Sequence, residues 1–289
     1  MSGDAMSGGA ANPSAVDGGA PSEGAVSSGA PGGAWDWQEA LRLPEAALLG
    51  GRALHKTDLV RRGGLTRADE RALKRVEAVR QFAAVQRSTC RIPPVRTGEH
   101  DVQAVVYLEV ELRAGAAAAE VAAILHKALP NPTAVLMEAA DGRIGVGAAV
   151  KRLSLAERGA TVVEEAAWSG LFQPGDARYA DYLSAIAYPA LDQADLLAYA
   201  RSLVARTRLS REVPALGRYP ACAPGREAAL MGLVDEFTAL QSRIDALDAR
   251  RRGRDTPLSE SARLRVELRG LGEERDRLTG RIEELCDGR

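Results

Sequence analysis

The sequence has few of the side chains on which metal sites and disulfide frameworks depend. Of its 289 residues, only three are cysteines and three are histidines. Cys90, Cys222 and Cys286 lie far apart, without the short spacing of a zinc site, and this argues against a small disulfide-bonded fold. The histidines share no ligand-like spacing either. The sequence therefore predicts no metal, no cofactor and a reducing cytoplasm.

Long apolar runs and net charge are also lacking. No apolar run approaches the roughly 20 residues that span a bilayer, and the N-terminus lacks the basic region and apolar core of a secretory signal. Lys plus Arg number 38 and Asp plus Glu number 39, so the net charge of -1 steers no particular ligand. A hydrophobic content of 46% suffices for a buried core. These features predict a cytoplasmic protein without a membrane partner, and the richness in Ala, Arg and Gly indicates a bacterial genome.

Composition divides the chain into four parts. Residues 1–34 are mainly Gly, Ala, Ser and Pro, a composition that predicts a disordered tail. Residues 35–211 form the predicted α/β core domain, which begins at the hydrophobic anchor of Trp35 and Trp37. Residues 212–225 are rich in Pro and Gly and predict a linker. Residues 226–289 form a predicted pair of helices.

The core domain carries alternating strand and helix signals. Residues 66–86 predict a helix with Thr66 as its N-cap, and alternating apolar residues predict a strand at 104–112. An Ala-rich helix at 115–129 precedes predicted strands at 133–138, 144–150 and 160–165. Helices are predicted again at 179–187 and 193–206. This order predicts an α/β (α+β) fold, with a small mixed or mainly antiparallel sheet flanked by helices.

The last sixty residues contain apolar side chains at alternating steps of four and three. This spacing places one apolar seam along each of two helices, and the short connection between them favours an antiparallel, coiled-coil-like hairpin over an intermolecular coiled coil. A two-helix hairpin leaves each seam half covered, so these side chains are the predicted partner-binding residues. They are Leu230, Leu233, Phe237, Leu240, Ile244, Leu247, Leu264, Leu268, Leu271, Leu278, Ile282 and Leu285.

Basic residues are concentrated in residues 52–96, which contain twelve Lys and Arg but only four Asp and Glu. Arginine-rich segments of this kind release condensed counterions when they bind a nucleic-acid backbone. No base-reading module is visible, so the contact would be independent of sequence. The predicted phosphate-contacting residues are Lys56, Arg61, Arg62, Arg71, Lys74 and Arg75. The alternative is an arginine excess that only reflects genome composition.

One group of side chains suggests catalysis. Glu109 and Glu111 share a face of the predicted strand, and two such carboxylates can hold a divalent metal in a nuclease or phosphodiesterase. Lys151 is the candidate lysine of that site, provided that the sheet brings it close. The alternative interpretation is a solvated strand face whose carboxylates discourage unwanted strand pairing.

Several short segments together resemble a known bacterial family. They are Leu43-Pro44, His55-Lys56, the strand at residues 105–112, the run Leu125-His126-Lys127-Ala128-Leu129-Pro130-Asn131-Pro132, and the run Ala148-Ala149-Val150-Lys151-Arg152. In this order they resemble the family known as domain of unknown function 4391, over residues 41–199. The family has no established activity. The resemblance implies an association with helicase-like and DNA-methyltransferase genes in loci that look like phage defence or restriction systems.

Taken together, these features predict a non-enzymatic accessory protein of a DNA-processing or phage-defence system. Its expected partners are another protein, such as a helicase or DNA methyltransferase, at the C-terminal helices, and nucleic acid at the basic region. Two alternatives stay open. One is a metal-dependent nuclease or phosphodiesterase built on Glu109, Glu111 and Lys151, and the other is a purely structural homo-oligomer held by the C-terminal helices.

Overall fold

The computed structural model describes residues 35–157, 159–222, 226–253 and 257–286, apart from the side chains of Arg62 and Glu227. The predicted disordered tail, residues 1–34, lies outside these residues. The described strands are β1 (Leu48–Ala53), β2 (Val76–Gln86), β3 (Val95–Arg96), β4 (Asp101–Val102), β5 (Ala104–Leu112), β6 (Thr133–Glu138), β7 (Ile144–Leu153) and β8 (Thr161–Trp168). The described α-helices are α1 (Trp37–Leu41), α2 (Lys56–Gly63), α3 (Arg67–Leu73), α4 (Arg87–Cys90), α5 (Ala118–Ala128), α6 (Ala180–Ala185), α7 (Leu196–Leu209), α8 (Val213–Leu216), α9 (Glu227–Arg251) and α10 (Leu258–Cys286).

The fold is mixed α/β, as the sequence predicts. Six strands form one sheet in the order β1-β2-β5-β6-β7-β8, and β3 pairs separately with β4. Only β5 and β6 pair in parallel, because α5 carries the chain from one to the other, and the other neighbours in the sheet are antiparallel. The Asp141-Gly142 turn joins β6 to β7, and Gly142 adopts the positive φ that such a turn requires.

The predicted helix at residues 66–86 is wrong beyond Leu73. Thr66 caps α3 as expected, because its hydroxyl accepts from the Asp69 N–H while the Asp69 carboxylate accepts from the Thr66 N–H. From Val76 onwards the chain is instead a long strand that pairs with β5 from Val76 to Gln86. Apolar residues recur in this strand on both faces, since both faces are covered, and they therefore imitate a helical spacing.

Helices cover both faces of the sheet and enclose two hydrophobic clusters. One cluster lies between the sheet and α5, with Leu59 of α2 and Leu73 of α3 at its edge. The other and larger cluster lies on the opposite face and combines α1, α6, α7 and α9 with Tyr107, Val146 and Val150. We call these the α5 face and the α7 face. The basic helices α2 and α3 therefore belong to the α5 face, and the C-terminal hairpin belongs to the α7 face.

The C-terminal hairpin has the predicted antiparallel form. Its helices α9 and α10 lie against each other, and ion pairs cross between them at Arg243–Glu267 (3.0 Å) and Arg281–Glu236 (3.7 Å). Part of the predicted linker, residues 212–225, forms the short helix α8, and residues 223–225 lie outside the described residues. In the part of the chain that the structure describes, no helix combines the length and the apolar character needed to cross a bilayer.

Candidate nucleic-acid interface

The basic residues of the N-terminal half form a surface on α2 and α3. The two helices are joined by a short turn in which Gly64 adopts a positive φ and Thr66 caps the second helix. Both pack against α5, and the backbone of α2 comes very close to it at Gly63, where an added Cβ would lie 2.7 Å from the Ala128 Cα. This close contact fixes α2, and the capping box fixes the start of α3.

Helical spacing sorts the side chains of α3 into two faces. Arg67, Arg71 and Lys74 lie at positions i, i+4 and i+7, so they form one exposed row, which we call the basic stripe. The opposite face turns inward. There Leu73 joins the α5-face cluster, and the Asp69 carboxylate lies 3.6 Å from the Lys127 ammonium. The hydrogen bond from the Thr66 backbone N–H lowers the pKa of Asp69, with help from Lys127. Because the carboxylate contacts these two groups, it is directed away from the stripe.

In the described part of the chain the basic stripe forms no ion pair, although Glu70 lies on the same side of α3, four residues before Lys74. Among the described residues, no carboxylate lies within 4.0 Å of the charged groups of Arg67, Arg71, Lys74 or the adjacent Arg75. Arg71 donates to the Arg67 carbonyl at 3.3 Å, and Arg75 donates to the Ala114 carbonyl at 3.3 Å. Carbonyl contacts leave the positive charge uncompensated. The stripe is therefore a cationic surface that an anionic chain can neutralise.

Two of the other predicted phosphate-contacting residues, Lys56 and Arg61, have partners inside the protein. Lys56 is the first residue of α2, and its ammonium donates a hydrogen bond to the Val76 carbonyl at the start of β2. Arg61 pairs with Asp58 at 2.9 Å within α2. The side chain of Arg62 lies outside the described residues. The structure thus brings Arg71, Lys74 and Arg75 together with Arg67, which the sequence analysis did not single out; its spacing from Arg71 and Lys74 was the available signal.

A groove separates α2 from α3 beside the stripe. It has a volume of about 280 Å³, and Val60 and Leu73 contribute apolar lining while Lys56, Arg61 and Lys74 bring positive charge to it. Glu70 is the one acid in this lining. The combination of an apolar base with cationic edges is chemically suited to a phosphate and to the sugar or base attached to it.

The candidate catalytic residues do not form a site. Glu109 and Glu111 alternate along β5 with Leu108 and Val110, which face α5, so the two carboxylates lie on the α7 face. Lys151 lies on the α5 face, where its ammonium donates to the His126 carbonyl of α5. The sheet itself separates the lysine from the carboxylates. Across the described residues, no group of three His, Cys, Asp or Glu side chains is arranged to hold a metal ion.

Glu109 and Glu111 have a local explanation. Arg80 of β2 is the cross-strand neighbour of Glu109 and forms an ion pair with Glu111. Burial raises the pKa of the Glu109 carboxyl, and the positive charge of Arg80 acts in the opposite direction. This arrangement matches the interpretation of a paired, partly solvated strand face.

His126 and Lys151 form a buried polar pair that the sequence analysis did not identify. The His126 ring is 2% exposed, and its Nδ1 lies 3.2 Å from the Thr133 hydroxyl. Its Nε2 has no hydrogen-bond partner among the residues that the structure describes, and it faces Gly147, where an added Cβ would lie 3.0 Å away. Burial lowers the pKa of His126 to about 3 and that of Lys151 to about 8, and the lysine charge adds to the effect on His126. Because His126 is almost fully buried and its ring lies against Gly147, we assign it to the core.

Most of the apolar seam residues of the hairpin are buried by contacts within the protein itself. Eight of the twelve predicted partner-binding side chains are buried, and the remaining four, Ile244, Leu247, Leu268 and Leu285, are partly buried. Arg208 of α7 contacts both Glu165 of β8 and Asp235 of α9 at 3.4 Å, so α9 is docked on the core. These seam residues thus contact the rest of their own chain, and the less covered ones lie toward the turn between the helices or at the end of α10.

Comparisons with known proteins identify one family. The family described as Domain of unknown function (DUF4391) matches residues 41–274. The match exceeds the range of 41–199 expected from the short segments, because it also includes all of α9 and the first part of α10. The hairpin is thus part of what the family shares. No curated protein and no solved structure matches the chain. The chain belongs to the DUF4391 family.

Proposed function

We propose that this member of the DUF4391 family is a non-enzymatic accessory protein of a bacterial DNA-processing or phage-defence complex in the cytoplasm. It contacts nucleic acid through the basic stripe of α3, without sequence preference. It contacts a protein partner, a helicase or a DNA methyltransferase, through the outer part of the C-terminal hairpin.

The observation that carries the nucleic-acid contact is the row of exposed positive charges in the basic stripe, which outnumber the single acid beside them, Glu70. Elsewhere, many exposed arginines pair with acids, for example Arg113 with Glu77 and Arg178 with Asp176. Arg67, Arg71 and Lys74 keep three exposed charges in one row, without a carboxylate within 4.0 Å among the described residues. Each charge that replaces a condensed counterion on a phosphate contributes a favourable, salt-dependent term.

A binding titration tests this contact. Fluorescence anisotropy of the full-length protein with labelled single-stranded and duplex DNA, at several salt concentrations, gives the affinity and its salt dependence. The triple variant Arg67→Gln, Arg71→Gln, Lys74→Gln should bind more weakly to both DNAs, and the slope of log K against log salt should fall by about 2–3.

A matched control keeps the change in net charge the same. The variant Arg263→Gln, Arg265→Gln, Arg269→Gln removes three exposed charges from α10 and should leave binding unchanged. Equal losses in both variants would show that only overall charge matters and would contradict the assignment to α3. Magnesium-dependent cleavage of the labelled DNA would contradict the non-enzymatic part of the proposal.

The protein contact is proposed for residues 244–251 and 258–268, which we call the outer hairpin. Toward the core, Leu230 and Phe237 are buried. In the outer hairpin Leu264 is buried as well, but Ile244, Leu247 and Leu268 are only partly buried. On its surface Leu258 is 91% exposed and Val266 is 74% exposed. In our proposal, these two exposed side chains and the partly buried seam residues form the apolar part of the contact surface.

Affinity capture from the native host tests the protein contact. The full-length protein should retain a helicase or DNA methyltransferase, identified by mass spectrometry, and the variant Leu258→Ser, Val266→Ser should retain much less. Leu155→Ser is the matched control, because Leu155 is 93% exposed but lies outside the hairpin. Undiminished capture by the hairpin variant would contradict this contact. A dimeric mass in solution that the hairpin variant abolishes would favour the structural homo-oligomer instead.

A further inference from the structure

The fold brings together two cysteines that are distant in the sequence. Cys222 precedes α9, and Cys286 is the last residue of α10. Because α9 and α10 are antiparallel, the residue before the first helix and the residue that ends the second lie at the same end of the hairpin. Both cysteines are half-buried and pack against the hydrophobic cluster of the α7 face.

Contacts on both sides of the cysteines confirm that the two segments are neighbours. Arg218, shortly before Cys222, pairs with Glu283 of α10 at 4.0 Å. Arg226, shortly after Cys222, lines the same surface groove as Leu285. Cys222 therefore lies in a segment between Arg218, which contacts the last turn of α10, and Arg226, which shares a groove with that turn, and Cys286 belongs to the same turn.

The buried phenol of Tyr219 lies near both thiols. Its ring is 3% exposed, and its hydroxyl donates to the Arg206 carbonyl of α7 at 3.3 Å. Burial raises the pKa of the Tyr219 phenol, and the nearby groups Tyr182, Cys222 and Cys286 raise it further, while Arg206 opposes them. Both thiols thus lie close enough to this one phenol to affect its ionisation.

We propose that Cys222 and Cys286 are a redox pair that forms a reversible disulfide across the open end of the hairpin. The oxidant is a peroxide. One thiolate attacks hydrogen peroxide, so that a sulfenic acid forms and the other oxygen leaves as water after protonation. The second thiol then attacks the sulfenic sulfur and expels a second water. Two thiols lose two electrons in total, and the peroxide O–O bond accepts them.

The bond would tie the end of α10 to the segment that enters α9. It would close a loop that contains the whole hairpin, and the stabilisation by a disulfide grows with the length of the closed loop. The thiols are only half-buried, so an oxidant has access to them. Oxidation would therefore fix the end of α10 to the segment that enters α9, and the thiol systems of a cytoplasm would reverse the bond by reduction.

Peptide mapping of the full-length protein tests the proposal. After treatment with dilute hydrogen peroxide and alkylation of the remaining thiols, trypsin should release residues 219–226 linked to residues 282–289 by one disulfide. Dithiothreitol should separate them. The oxidised protein should also unfold at a temperature roughly 5–10 °C above that of the reduced protein.

Three single variants separate the proposal from general oxidation. Cys90→Ser should keep both the linked peptide and the rise in unfolding temperature, because Cys90 belongs to α4. Cys222→Ser and Cys286→Ser should lose both, while their reduced forms should unfold close to the reduced parent, which shows that they fold. Over-oxidised thiols without a linked peptide, a disulfide to Cys90, or a disulfide between two copies of the chain would each overturn the proposal.

Discussion

Both faces of the sheet bury apolar side chains, but the face that packs against α5 also buries an imidazole and an ammonium group, whereas the face that packs against α7 and the hairpin buries many aromatic rings. On the α5 face, His126 and Lys151 are each 2% exposed and lie near Thr133. On the α7 face, the polar atoms are mainly tyrosine hydroxyls bonded inside the core, such as those of Tyr107 and Tyr199 at 2.7 Å. From this comparison we expect the stability of the α5 face to depend on pH and the stability of the α7 face to depend on the C-terminal hairpin.

The largest expected effect tests how far the α7 face depends on the hairpin for its stability. Phe237 of α9 is 1% exposed and shares a cluster with residues of the sheet and of α7. Phe237→Ala should lower the free energy of unfolding by about 3–5 kcal/mol, because it removes buried area and leaves a cavity. Chemical denaturation measures this change.

The matched control lies in the outer hairpin. Leu268→Ala removes a partly buried side chain that is far from the docked half of α9, and it should cost about 1 kcal/mol. If both substitutions cost the same, the hairpin would not stabilise the α7 face, and the comparison between the two faces would fail.

The next effect is the loss of stability at low pH that we expect from the α5 face. The pKa of His126 is about 3 in the folded protein and 6.5 in an unfolded chain, so between these values the unfolded chain binds a proton that the folded protein does not. Stability should therefore fall as the pH drops from 6.5 toward 3, by on the order of 4–5 kcal/mol from this residue. His126→Gln should show a shallower loss in denaturation curves recorded across this range. A parallel pH dependence in both proteins would contradict the assignment.

The smallest effects come from two glycines in different surroundings. At Gly147, an added Cβ would lie 3.0 Å from the His126 ring and 3.2 Å from the Ala122 Cβ, so Gly147→Ala should destabilise the α5 face by about 1–2 kcal/mol. At Gly232 in α9, nothing lies within 4 Å of an added Cβ, and Gly232→Ala should stabilise the protein by about 0.5–1 kcal/mol. Thermal unfolding distinguishes the two signs, and stabilisation at Gly147 would show that the ring is loosely packed.

The predictions from sequence succeed where a local pattern has one meaning. The alternation at residues 104–112 predicts β5, and the Asp-Gly turn predicts the β6–β7 hairpin. The two heptad segments predict the pair α9–α10. They fail at Val76–Gln86, because a strand covered on both faces carries apolar residues without strict alternation. The short strand β1, with Gly50 and Gly51 at positive φ, gives no strand signal at all.

The candidate sites divide in the same way. The spacing of Arg71 and Lys74 already places them on one helical face, and the structure adds the absence of neighbouring acids among the described residues. The positions of Glu109, Glu111 and Lys151 relative to one another depend on the faces of separate strands, which no local spacing encodes. The same holds for Cys222 and Cys286, which the antiparallel hairpin brings to one end.

The sequence by itself determined the type of fold, the hairpin and the concentration of positive charge, because helical and strand periods and charge density are properties of neighbouring residues. Only the tertiary structure decided that the hairpin seam is buried against α7, that the sheet separates Lys151 from the two glutamates, and that His126 lies in the core. Those outcomes depend on which surfaces meet when the layers pack, and the free energy of burying them is shared among residues far apart in the chain.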